Sequence, residues 1–143
     1  MNVLTFINRD TVPIMAKHSK YNIIIPAGMK PRPKIHEETA ADILANHFRY
    51  DVYFIETAKQ GTPDVSIRGI EWEIKSPIGS STNTIQRNMR EASLQSSNIV
   101  IDLRRSKLHQ TRALGYIKQF TERHKKLKCV LVITKSGQVL KIK

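Results

Sequence analysis

The sequence predicts an α/β fold in which a mixed sheet is flanked by helices. Three observations carry that expectation. After residue 34 the elements read helix, three strands, helix, strand, helix, two strands. Between Asp64 and Lys75 apolar and polar residues alternate with period two. The unbroken apolar run Cys129–Ile133 is of the kind that fills a strand buried on both faces. A chain of 143 residues has room for one hydrophobic core. Residues 1–33 read as a basic N-terminal arm and Pro-rich connector, and residues 34–143 as the folded domain.

The first twenty residues show no clear period. Tyr21 to Ile25 is a short strand candidate, and Pro26, Pro31 and Pro33 then forbid regular structure. Ile35 to Phe48 has helical spacing, with Glu37 and Glu38 in the first turn, where the helix dipole favours acids. Val52 to Glu56 reads as a strand, and Gly61-Thr62-Pro63 breaks the chain. Val65 to Lys75 alternates, interrupted at Arg68-Gly69. Ser76 to Thr82 is a loop, Asn83 to Gln95 a helix and Asn98 to Leu103 a strand. Thr111 to Lys126 is a helix with Leu114, Ile117, Phe120 and Leu127 along one side. Lys128 to Thr134 and Gln138 to Ile142 form a hairpin around Lys135-Ser136-Gly137.

Charge narrows the function. Lys and Arg number 24 against 12 Asp and Glu, a formal +12. A small domain this basic attracts polyanions, because neutralised phosphates release their counterions. Nucleic acid is therefore the expected partner, ahead of an acidic protein or an anionic membrane surface. No apolar run approaches the roughly 18 residues needed to span a bilayer. The single Cys129 excludes an intrachain disulfide and a cysteine-based zinc framework. With no charged-then-apolar secretory layout at the N-terminus, the expected location is cytoplasmic.

If Arg68-Gly69 is a two-residue hairpin turn, Ile67 opposes Ile70, Ser66 opposes Glu71, Val65 opposes Trp72 and Asp64 opposes Glu73. One face is then Val65, Ile67, Ile70, Trp72 and Ile74. The other is Asp64, Ser66, Arg68, Glu71, Glu73 and Lys75. Opposed Asp64 and Glu73 would repel at a Cβ separation of about 5 Å. A divalent cation between them resolves the repulsion, with Lys75 on the same face. A plain surface salt-bridge cluster is the alternative reading. Glu37 leads by helical steps to Ala40, Ala41, Leu44 and Phe48, so it lies on the inward side of its helix and is the better third ligand. Its alternative is a first-turn acid that only favours the dipole. Asp102 faces opposite to Ile101 and Leu103, where it supports Lys75 or pairs with Arg104. Arg104, Arg105 and Lys107 form a basic run suited to phosphate contact or to a solvated face. Lys17, Lys20, Lys30, Arg32 and Lys34 offer the same along the arm. The five histidines show no metal-ligand spacing, and Trp72 reads as core.

Pro63-Asp64 with Glu73-Ile74-Lys75, preceded by a helix bearing Glu37, resembles the PD-(D/E)xK nuclease superfamily, whose core is α-β-β-β-α-β. A wider string is more specific: His36-Glu37, Thr62-Pro63-Asp64, Trp72-Glu73-Ile74-Lys75-Ser76-Pro77, Thr84-Ile85-Gln86, Gln95-Ser96 and Ile101-Asp102-Leu103-Arg104-Arg105. It resembles the C-terminal tRNase domain of contact-dependent growth inhibition toxins and its relatives in phages and mobile elements.

The resemblance implies a restriction endonuclease-like fold with an added C-terminal helix and hairpin, residues 34–143 being the nuclease domain. It implies metal-dependent hydrolysis of phosphodiester bonds in RNA, tRNA in particular. DNA cleavage for a phage or mobile element, or nucleic-acid binding without cleavage, are the alternatives. Carried over by position, Glu37, Asp64 and Glu73 are metal-binding acids, joined by the Ile74 carbonyl, and Lys75 is the catalytic lysine. The metal is Mg²⁺ or Mn²⁺, with Zn²⁺ as an alternative. In that family a glutamine ending the second helix approaches the active site, which points to Gln95. The resemblance also implies an immunity protein as partner and delivery into a target cell. Such toxins carry a secretion stalk and an entry region that these 143 residues lack, so the expectation is an excised domain or a stand-alone relative. Oligomeric state is left open.

Overall fold

The computed structural model describes residues 20–56 and 61–143. Its elements are β1 (Ile23–Ile24), α1 (Ile35–Phe48), β2 (Val52–Phe54), β3 (Val65–Ile67), β4 (Ile70–Lys75), α2 (Thr82–Gln95), β5 (Asn98–Asp102), α3 (Gln110–Arg123), β6 (Cys129–Ile133) and β7 (Val139–Lys141). Among the described residues the seven strands form one mixed sheet in the order β1-β2-β3-β4-β5-β6-β7. Pairing is parallel for β1–β2, β4–β5 and β5–β6, and antiparallel for β2–β3, β3–β4 and β6–β7. Hence β1, β2, β4, β5 and β6 point one way, and their carboxyl ends share one edge of the sheet. Open α/β sheets bind ligands along that edge.

Each face of the sheet has its own core. α1 lays Ala40, Ala41, Leu44 and Ala45 over Val52, Phe54, Val65, Ile67, Trp72, Val100, Leu131 and Ile133. The small alanines let the helix approach closely. α2 contributes Ile85, Met89 and Ala92, and α3 contributes Ala113, Ile117 and Phe120, each set on one helical face. They cover Ile99, Ile101, Val130 and Val132 on the opposite side. β5 and β6 are thus buried on both faces, which is why their sequences are continuously apolar. α1 stops at Arg49, which adopts the left-handed conformation at φ 61° and donates its N–H to the Ala45 carbonyl. α2 starts at Ser81, whose hydroxyl accepts the Thr84 N–H. Gly79 lies against that first turn so closely that an added Cβ would sit 2.4 Å from the Thr84 hydroxyl.

The α/β architecture is as the sequence predicts, and element ends shift by a few residues at most. The hairpin register holds: Val65 faces Trp72, Ser66 faces Glu71 and Ile67 faces Ile70. Part of the expected arm belongs to the body. β1 pairs with β2, and Tyr21, Ile23, Ile25 and Met29 pack against the α1-side core. The reason is that Ile23 and Ile24 extend the sheet edge that β2 leaves open. Residues 1–19 of that arm, with Lys17, lie outside the described residues. No helix among the described residues is long and apolar enough to cross a membrane.

Candidate active site

The carboxyl ends of β2 and β4 and the start of β3 open into a cleft of about 720 Å³. Phe54, Ile55, Asp64, Glu73, Ile74, Lys75 and Ser76 come from the sheet, and His36 and Glu37 from the N-terminus of α1. The Pro-rich segment 29–34 and Arg105, after β5, complete the lining.

Asp64 is held by backbone. Its N–H bonds to the Trp72 carbonyl at 3.0 Å, and its Oδ2 accepts the Ile74 N–H at 2.8 Å. The ladder steps by one residue at Asp64, so the carboxylate reaches beyond Glu73 to the Ile74 amide. Glu73 is only 3% exposed. Its Oε2 lies 3.3 Å from Lys75 Nζ, while its buried Oε1 meets no donor group; the Glu73 and Asp64 carboxyls share a hydrogen bond once one of them carries a proton. Burial, and then the neighbouring Asp64 charge, push the Glu73 carboxyl up to about 8, against a partial offset from Lys75. Asp64 is raised too, by burial first, against the Ile74 amide that favours its charged form. Two close carboxyls, one buried and one half-buried, that resist double ionisation behave as one coupled pair.

That pair fits a divalent cation. An orphaned buried carboxylate oxygen costs free energy unless something pairs with it, and hard cations take carboxylate oxygens. Asp64, Glu73 and the carbonyl side of Ile74 are the residues suited to hold such an ion. Glu37 departs from the expected ligand set. It lines the cleft and its charge reaches Asp64, yet its Oε1 accepts the Lys34 N–H at 2.8 Å, capping its own helix. Among the described residues no three His, Cys, Asp or Glu side chains gather closely enough to form a metal cage.

Other expected site residues separate. Asp102 is fully buried and belongs to a clamp. It accepts the Arg104 guanidinium at 2.8 Å and 2.9 Å, and the Arg104 N–H at 3.1 Å. Arg104 also donates to the His36 carbonyl and the Thr39 hydroxyl, each at 3.0 Å. Its guanidinium is therefore committed to tying α1 to β5 and is not a free phosphate contact. Asp102 reaches the site through the Ser76 hydroxyl, at 3.4 Å, and its charge is felt by His36. Gln95 does not line the cleft; from α2 it is Glu91 that approaches Lys75, at 3.8 Å. Sequence reasoning missed Glu91. Its signal was its place beside the buried Ala92, one turn before Gln95. Lys107 is exposed and outside the cleft lining, whereas Arg105 is exposed and lines it. His36 also lines the cleft, held below the ordinary imidazole range by burial first and then by Arg105.

A family model described as the contact-dependent growth inhibition CdiA C-terminal domain matches residues 60–139. That span holds Asp64, Glu73 and Lys75 and leaves Glu37 and the Pro-rich segment outside. Among solved structures, a chain of a CdiA-CT/CdiI toxin and immunity complex from Burkholderia pseudomallei is similar with a TM-score of 0.55 at 23% identity. The match covers 85% of this chain and 98% of that one, and at this identity it speaks for the fold. No curated protein matches the chain.

Proposed function

The chain belongs to the contact-dependent growth inhibition CdiA C-terminal domain family, and from that premise we propose that it is a growth-inhibiting toxin domain acting as a metal-dependent nuclease of the PD-(D/E)xK type. Its substrate is RNA, and tRNA in particular. The observation that carries this reading is the close Asp64–Glu73 carboxyl pair, which resists double ionisation on the floor of a cleft in a +12 protein.

Asp64 and Glu73 would hold a Mg²⁺ or Mn²⁺ ion together with the Ile74 carbonyl, with Glu37 at the cleft wall. When bound, the ion lowers the pKa of a coordinated water and neutralises charge on the phosphoryl oxygens. The Ile74 amide fixes the Asp64 carboxylate, so the acid needs no reorganisation before turnover. Lys75, 3.3 Å from Glu73, donates to the attacking water or to the oxygens that gain negative charge. Glu91 limits how far the Lys75 ammonium swings. An immunity protein is the proposed protein partner, since the structural neighbour is a toxin and immunity complex.

The test incubates the protein with total tRNA and, separately, with plasmid DNA, adding Mg²⁺, Mn²⁺ or chelator. Discrete tRNA fragments with metal, none with chelator and none from Asp64→Ala are the expected result. Cleavage by Asp64→Ala at the parent rate would overturn the site, and cutting of plasmid alone would move the substrate to DNA.

A further inference from the structure

The cleft carries opposite charge on its two sides. Asp64 and Glu73 form an acidic floor. The segment 29–34 faces it with Lys30, Arg32 and Lys34, and Arg105 joins them. Arg32 is engaged with Glu38 at 3.6 Å. Lys30, Lys34 and Arg105 have no carboxylate within ion-pair distance among the described residues. Direct pairing across the cleft would be the simplest way to satisfy both sides. Instead no cation of the wall reaches Glu73 or Asp64, and about 720 Å³ separates the walls. A ligand that offers anionic oxygens to the cations and shares a metal with the acids fills that gap, and a phosphodiester backbone does both.

The segment is built to present its cations. Pro31 and Pro33 fix φ on either side of Arg32. The Met29 N–H bonds to the Pro26 carbonyl at 3.1 Å, and Met29 packs on the α1-side core. At the other end the Lys34 N–H is capped by Glu37. Anchored at both ends, the backbone loses little entropy when its side chains engage a ligand.

We propose that Lys30 and Lys34, with Arg105, form the phosphate-binding wall of the cleft and hold the polynucleotide backbone beside the scissile bond. The proposal rests on the nuclease reading of the same cleft, and the experiment separates the two. A labelled single-stranded RNA oligonucleotide is titrated with protein in chelator, at several salt concentrations, and followed by fluorescence anisotropy. Lys30→Ala/Lys34→Ala is compared with Lys125→Ala/Lys126→Ala, an equal charge change on exposed residues past α3 and outside the cleft.

Loss of two phosphate contacts on a single strand lowers the slope of log K against log salt by about 1.4, and the Lys30→Ala/Lys34→Ala protein is expected to show that drop. Adding Arg105→Ala lowers the slope further, and Lys30→Arg/Lys34→Arg keeps the parent value. The Lys125→Ala/Lys126→Ala control keeps it too. Equal drops in both alanine pairs, no drop in either, or no RNA binding by the parent would overturn the proposal. If the slope drops while the parent cuts nothing with Mg²⁺ or Mn²⁺, the wall stands and the nuclease reading falls. If the parent cuts and the slope is unmoved, the reverse holds.

Discussion

Two buried carboxylates on neighbouring strands are treated in opposite ways. Asp102, on β5, is fully enclosed and receives the two-pronged Arg104 guanidinium, the Arg104 N–H and the Ser76 hydroxyl. Glu73, on β4, is almost as buried, yet one of its oxygens meets no donor group, the other has a lysine at 3.3 Å, and its nearest acid is Asp64. Burying a charge is costly unless it is paired and hydrogen-bonded. At Asp102 the fold meets that cost, and the clamp fastens α1 to the sheet. At Glu73 the cost is avoided by keeping a proton beside a second acid, at the floor of a cleft. One carboxylate holds the structure together; the other is the acid for which a cation is proposed.

Breaking the clamp should give the largest effect on stability. Arg104→Ala leaves Asp102 buried and unpaired, and removing one partner of such a pair costs about 3–5 kcal/mol. Urea unfolding should show a loss of that order. Arg104→Lys should recover only part of it, because an ammonium cannot reach Asp102, His36 and Thr39 at once. A loss within ±0.5 kcal/mol would mean that Asp102 is not held as described.

The same treatment at Glu73 should have the opposite sign. Its carboxyl is raised from 4.5 to about 8, so between those values the native state keeps a proton that the unfolded state releases. By linkage this contribution to stability falls as pH rises through that window. His36, held low chiefly by burial, gives a rising contribution near its own titration, so the informative quantity is parent minus variant. In chelator, Glu73→Gln should melt higher than the parent at pH 8 by several °C, with the gap closing toward pH 5. A gap independent of pH would show that Glu73 is not held protonated. The variant should also lose cleavage, by 100-fold or more for an acid that orders the reacting groups.

A smaller effect separates two residues of α2. Glu91→Gln should slow cleavage several-fold by freeing Lys75, with no change in melting beyond about 0.5 kcal/mol. Gln95→Ala should be silent in both. Equal losses in the two would restore Gln95 to the site.

The α/β architecture and the hairpin were legible because their signals are local. Alternation from Val65 to Lys75, broken by Arg68-Gly69, fixes the register, since a one-residue slip would turn every apolar side chain outward. Proximity of Asp64, Glu73 and Lys75 followed from that register. What escaped depends on neighbours that are distant in sequence. Alternation assigns Glu73 a face but not a depth; α2 and β5, packed around that face, make the depth. Asp102 offered two partners, and the choice needed α1 brought alongside β5 so that Arg104 spans both. Gln95 and Glu91 share a helical face, and the pitch of α2 against β4 decides which reaches Lys75. Glu37 points inward as its spacing implies, but the Lys34 amide, which only a folded helix start leaves free, claims its oxygen.

The contrast between the two acids rests on the proposed cation site at Asp64 and Glu73. Calorimetric titration of the protein with Mn²⁺ at pH 7, in two buffers of different ionisation heat, tests it. The parent should bind with release of a proton from the carboxyl pair, and both Asp64→Ala and Glu73→Gln should abolish binding while Asp102→Asn, if folded, retains it. Parent-like Mn²⁺ affinity in Asp64→Ala and Glu73→Gln would contradict the account.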